Sequence, residues 1–190
     1  MFLTVGVVVI APIVLGILSQ INPKPILSGS KELNGIAIKY PGDWKEMEPN
    51  GDFVEAGGDF GGQVSKFTPE NYKQVDSCIL EITTNINNLS PQLLSVEESK
   101  HFAISKIKNI NPNSQITDET KSSTTLSNFN AYRLTYTRQE GQCKLQVMEM
   151  GTVRNGKIYF ITYTAESAKY SQYLPTAEAM IQSFKITGNN

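Results

Sequence analysis

Residues 151–186 constrain the fold of this chain more than any other stretch. Asn155-Gly156 stands between a run ending Thr152-Val-Arg and a run reading Lys-Ile-Tyr-Phe-Ile-Thr-Tyr-Thr-Ala. A type I′ turn needs positive φ at both central residues, and Asn-Gly is the pair that accepts this most readily. The dipeptide therefore predicts a tight antiparallel hairpin. After a polar break, Tyr170, Leu174, Ala177, Ile181 and Phe184 recur at helical spacing. They predict a closing helix that lays one apolar face on the sheet. Pro175 is expected in its first turn, where a missing N–H costs little.

The same reading extends upstream. Ser114–Thr120, Ser122–Ser127, Ala131–Arg138, Cys143–Val153 and Lys157–Ala165 read as strands joined by short connections, which predicts an antiparallel meander. Cys78-Ile-Leu-Glu-Ile-Thr-Thr reads as a central strand, with Cys78, Leu80 and Ile82 on one face. Ser95-Val-Glu-Glu98 is a capping box that opens a helix, and Phe102, Ala103, Ile107 and Ile110 are its expected buried stripe. Ile36–Ile38 reads as a strand running into Tyr40-Pro41, with Trp44 just beyond. Residues 49–62 read as a Gly- and Asp-rich loop.

Phe2–Leu18 carries no charged side chain. At about 1.5 Å per residue this segment would span about 26 Å as a helix, against a hydrocarbon core about 30 Å thick. Residues 1–19 are therefore expected to be a transmembrane anchor, with a cleaved signal segment as the rival reading. Residues 20–34 contain prolines and Ser-Gly-Ser without periodicity and read as a linker, so the folded domain is expected over 35–190. Lys24 and Lys31 after the apolar segment would by themselves hold that side cytoplasmic.

The Tyr40-Pro41…Trp44 opening, the capped helix at Ser95–Ile110, the hairpin at Asn155-Gly156-Lys157 and the Ser183-Phe184 close together resemble the PsbP family. Members of that family are extrinsic proteins of oxygenic photosystems and their relatives. The resemblance implies an α+β fold, an antiparallel β-sheet flanked by helices in an α/β/α sandwich, here preceded by one N-terminal hydrophobic helix. It also implies a non-catalytic protein on the thylakoid-lumenal or periplasmic side of a membrane. Such a protein would support photosystem II assembly or the ionic environment of the oxygen-evolving complex. Two features depart from the family pattern: there is no cysteine near residue 19 for a lipid anchor, and the single histidine falls on a helix.

Composition removes several chemistries. Seventeen Lys and Arg against eighteen Asp and Glu leave no positive field for nucleic acid. One histidine and two cysteines cannot build a histidine-rich or four-cysteine zinc site. No GxSxG, HExxH, GxGxxG or P-loop pattern occurs, so the expectation is a protein that is not an enzyme. The candidate sites are correspondingly few. Asp52, Glu55 and Asp59 are three carboxylates in a glycine-rich loop, a donor set suited to Ca²⁺ or Mn²⁺, although they match no EF-hand spacing and solvated carboxylates have the same look. Cys78 and Cys143 each begin a predicted strand. They are either a disulfide, if those strand ends adjoin in an oxidising compartment, or two half-buried thiols. His101 reads as a helix-surface residue, and Tyr40, Trp44 and Tyr159 as core or rim aromatics. The functional alternative to a photosystem accessory is an extracytoplasmic sensor or ligand-binding domain of a membrane signalling protein.

Overall fold

The structure, a computed structural model, describes residues 24–47, 61–73, 78–88 and 95–188. In chain order the elements are β1 (Gly29–Leu33), β2 (Ile36–Tyr40), β3 (Trp44–Met47), β4 (Gly61–Pro69), β5 (Leu80–Asn88), α1 (Val96–Ile110), β6 (Ile116–Asp118), β7 (Thr125–Leu126), β8 (Phe129–Glu140), β9 (Cys143–Arg154), β10 (Lys157–Glu166), α2 (Tyr170–Ser183) and β11 (Lys185–Ile186). Every pairing is antiparallel. The main sheet runs β3-β4-β5-β10-β9-β8-β6, with β7 paired to β8, and a small sheet runs β1-β2-β11.

Tight turns set the registers. Asn155 and Gly156 have φ of 51° and 69°, and Lys157 pairs with Arg154 across them. Asn34-Gly35 repeats the device at φ 52° and 81°, and Ser127-Asn128 does so at 54° and 67°. The first of these joins β1 to β2, so residues expected to be linker include a paired strand. Ordered structure therefore starts no later than Gly29. The stretch expected as a strand at Ser122–Ser127 is strand only at Thr125–Leu126, because Ser127 and Asn128 are spent on the turn into β8.

Alternate residues of each strand fill two separate cores. Phe67, Ile82, Met148, Ile161 and Tyr163 point to the side covered by α2 and the small sheet, together with Ile36, Ile38, Trp44, Ala177, Met180 and Phe184. There Tyr163 and Tyr170 stack at 4.9 Å, Tyr40 lies 4.7 Å from Phe67, and Trp44 meets Tyr173 edge-on at 6.4 Å. The Tyr163 hydroxyl donates to the Tyr170 carbonyl at 2.8 Å. On the opposite side Tyr132, Leu134, Tyr136, Val147 and Ile158 pack against Ile107 of α1.

Both helices differ in detail from expectation. The α1 capping box is present: Glu98 N–H donates to Ser95 Oγ and Ser95 N–H to Glu98 Oε2. Its inward face, however, carries Ser99, Lys100, Ala103, Ile104 and Ile107, while Phe102 is 54% exposed and Ile110 67%. Lys100 explains the rotation, since its ammonium reaches Asp118 at the β6 edge (2.8 Å) and Glu97 (3.0 Å) and draws its own face inward. Pro175 lies inside α2, beyond its first turn, because the helix already begins at Tyr170. Its missing N–H removes the helical hydrogen bond to the carbonyl four residues earlier, that of exposed Ser171.

Among the described residues no helix is long and apolar enough to cross a membrane. The apolar N-terminal segment lies outside them.

Candidate functional site

The polar residues that the fold brings together lie on the α1 side of the main sheet. Register alone aligns them. Lys66 of β4 faces Thr83 of β5, Thr83 faces Thr162 of β10, and Thr162 faces Glu149 of β9. Residues directly opposite in an antiparallel pair share a face with Cβ atoms about 5 Å apart. The four therefore form one polar row crossing four strands. Each is half-buried. The row continues through Leu134 of β8 to Asp118 of β6, where Lys100 of α1 closes it.

Each charge in the row is held by a specific partner. Lys66 pairs with Glu81 at 2.6 Å, with both side chains largely buried. Glu149 accepts a hydrogen bond from the Tyr132 hydroxyl at 2.8 Å. The Tyr132 ring lies over Gly151, where a Cβ would come within 2.5 Å of it. Glycine there is what lets the tyrosine reach across to the carboxylate. Burial pushes the Glu149 carboxyl up; the Tyr132 hydrogen bond and the Lys106 ammonium of α1 pull it partly back. Burial, with the Glu149 charge beside it, pushes the Tyr132 phenol well above its ordinary range, so Tyr132 is a donor at every physiological pH. Burial also raises Asp118, but hydrogen bonds from Lys100 and Thr120 outweigh it and hold the carboxyl down at about 2. Carboxyl, hydroxyl and ammonium groups in a line on a sheet suit recognition of a polar partner.

The residues singled out in the sequence are elsewhere. Asp52, Glu55 and Asp59 lie outside the described residues. Cys78 and Cys143 form a disulfide with Cα atoms 5.3 Å apart. His101 is exposed on α1, with Nε2 3.1 Å from Glu97. Trp44 and Tyr159 are buried and Tyr40 half-buried, all on the α2 side. Sequence reasoning missed the row because Lys66, Thr83, Glu149 and Thr162 share no local pattern; only the strand order places them side by side.

Three comparisons bear on this architecture. A family model described as PsbP-like protein matches residues 19–186. Among curated proteins, none matches the chain in sequence. Among solved structures, the fold is similar to the solution structure of cyanobacterial PsbP (CyanoP) from Synechocystis sp. PCC 6803, at 12% identity and a TM-score of 0.54 over 80% of this chain and 86% of that one. It is equally similar to LpqN of Mycobacterium tuberculosis, involved in cell envelope biogenesis, at 16% identity and a TM-score of 0.54 over 80% of this chain and 83% of that one. At these identities the likeness is one of fold.

Proposed function

The chain belongs to the PsbP-like protein family, and on that premise we propose that it is a non-catalytic accessory protein of a photosynthetic membrane. Its N-terminal apolar segment holds it there, with the folded domain on the lumenal or periplasmic side. The complex it serves is photosystem II, where it supports assembly or the ionic environment of the oxygen-evolving complex. The family match over residues 19–186 is the observation that carries this reading. The fold shared with cyanobacterial PsbP supports it.

A second reading, an extracytoplasmic sensor or ligand-binding domain, is favoured by the polar row on the α1 side. One experiment separates the two. The chain is tagged at its C-terminus, protease access is tested in right-side-out and inside-out membrane vesicles, and the same membranes are run on a native gel. Lumenal or periplasmic placement with co-migration beside photosystem II is the expected result. The same placement without co-migration moves the ligand-binding reading to first place, and cytoplasmic exposure overturns both.

A further inference from the structure

The disulfide sits at a corner where three strands end together. β10 lies between β5 and β9, so its last residue, Glu166, must finish between the chain segments that carry Cys78 and Cys143. The hydrogen bonds pin it there: Glu166 N–H donates to the Ile79 carbonyl at 3.2 Å, and Ser167 N–H donates to the Lys144 carbonyl at 2.9 Å. Ile79 follows Cys78 and Lys144 follows Cys143. A carboxylate oxygen of Glu166 and the two sulfurs consequently lie within 4.8 Å of one another. Cys143 is buried, and Cys78 and Glu166 are half-buried. Lys169 lies 3.5 Å from the Glu166 carboxylate and over the Tyr72 ring. Ser167 contributes a buried hydroxyl that no hydrogen-bond partner satisfies.

We propose that when the disulfide is reduced, Cys78, Cys143 and Glu166 become the three protein ligands of a thiophilic divalent cation such as Zn²⁺, so that this corner is either oxidised and metal-free or reduced and metal-loaded. The chemistry balances. A dithiol reductant gives two electrons and two protons to the S–S bond and leaves as its own disulfide. The two thiols formed then lose their protons as the cation binds, and the carboxylate completes the set. Two thiolates, one carboxylate and a water make a four-coordinate site with an open position. Zn–S bonds of about 2.3 Å and Zn–O bonds of about 2.1 Å place the ligand atoms about 3.3–3.8 Å apart, within the spread these three strand ends impose. The backbone hydrogen bonds that place Glu166 do not involve the sulfurs, so the carboxylate stays beside them after reduction. The complex carries one net negative charge, and Lys169 is the adjacent cation. This inference is independent of the photosystem reading.

The test uses the full chain, reduced with a phosphine in the absence of oxygen, and Co²⁺ as a spectroscopic probe. One equivalent of Co²⁺ is expected to produce thiolate-to-cobalt charge-transfer absorption with the visible bands of a tetrahedral site, and Zn²⁺ is expected to abolish both. The oxidised chain is expected to give neither. Glu166→Gln, which keeps both cysteines, is expected to weaken cobalt binding at least about tenfold, while Glu178→Gln leaves it unchanged. Far-UV dichroism of the reduced chain is followed throughout. The proposal is overturned by a folded reduced chain without the charge-transfer band, by a Glu166→Gln titration equal to wild type, or by a reduced chain that has lost its native dichroism.

Discussion

The two faces of the main sheet are built from alternate residues of the same strands, yet they are filled differently. The α2 side is a continuous aromatic and aliphatic core capped by a helix and a second sheet. Its hydroxyl pair, Ser65 and Thr84, is closed on itself at 2.6 Å. The α1 side has a smaller apolar cluster, and beside it a row of half-buried charged and hydroxyl groups. Desolvating polar groups costs free energy even when they are paired. The α2 side therefore supplies the margin of stability that lets the α1 side keep them. The apolar core and the polar row are separated by the pleat of the strands rather than by position along the chain.

A chemically matched pair of truncations tests that separation most sharply. Ile82→Ala on the α2 side is expected to cost about 4 kcal/mol, and Ile107→Ala on the α1 side about 2 kcal/mol, read from urea unfolding. Ile82 is fully enclosed in the larger core, whereas Ile107 keeps 7% of its surface exposed and packs in the smaller cluster. Equal losses would break the comparison.

The polar row offers the next largest effect. Tyr132→Phe removes the hydroxyl that hydrogen-bonds Glu149 and is expected to destabilise by about 1–3 kcal/mol. Glu149→Gln keeps an acceptor for Tyr132 and is expected to be neutral or stabilising at neutral pH. The sign follows from the raised carboxyl. The folded state holds its proton to a higher pH than the unfolded state, whose value is near 4.5, so wild type loses stability as pH rises through that window. Unfolding midpoints of wild type relative to Glu149→Gln should fall as pH rises above the unfolded value of 4.5. A pH-independent difference would show that Glu149 does not titrate across folding.

At the far end of the row, Asp118→Asn is expected to cost about 1 kcal/mol or less at neutral pH, because the carboxylate is 40% exposed and screened by solvent. Its lowered folded value means that the contribution is present above the unfolded value, 3.8, and disappears as pH falls through about 2. Variant and wild type should therefore converge in acid. The smallest effect is expected at Phe102→Ala, within about 0.5 kcal/mol, since the ring is mostly in solvent. A loss above about 1 kcal/mol would mean that the outer face of α1 is covered.

Local signals carried much of the architecture. Asn155-Gly156 and Ser95…Glu98 each name their own geometry, because a turn or a cap is decided within four residues. Asn34-Gly35 carries the same turn signal, but the prolines before it argue for linker. The Ser127-Asn128 turn has no glycine to announce it. Phe102 and Ile110 look like a buried stripe only until Lys100 finds Asp118, a partner across a loop that periodicity cannot see. The polar row and the placing of Glu166 beside the cysteines depend on strand order. Strand order is set by long-range pairing, so neither was legible from spacing.

The small sheet joins strands from opposite ends of the described fold. β2, among the first strands made, pairs on one side with β11, whose Lys185 and Ile186 meet Ala37 and Ile36. Thr187 and Gly188 then donate backbone hydrogen bonds to the Gly35 carbonyl, and Lys39 N–H donates to Ser183 Oγ at 2.9 Å. The small sheet is thus completed only by the strand that follows α2. The small sheet cannot close until β11 has been made, and a nascent chain that has not yet reached it leaves β2 one neighbour short.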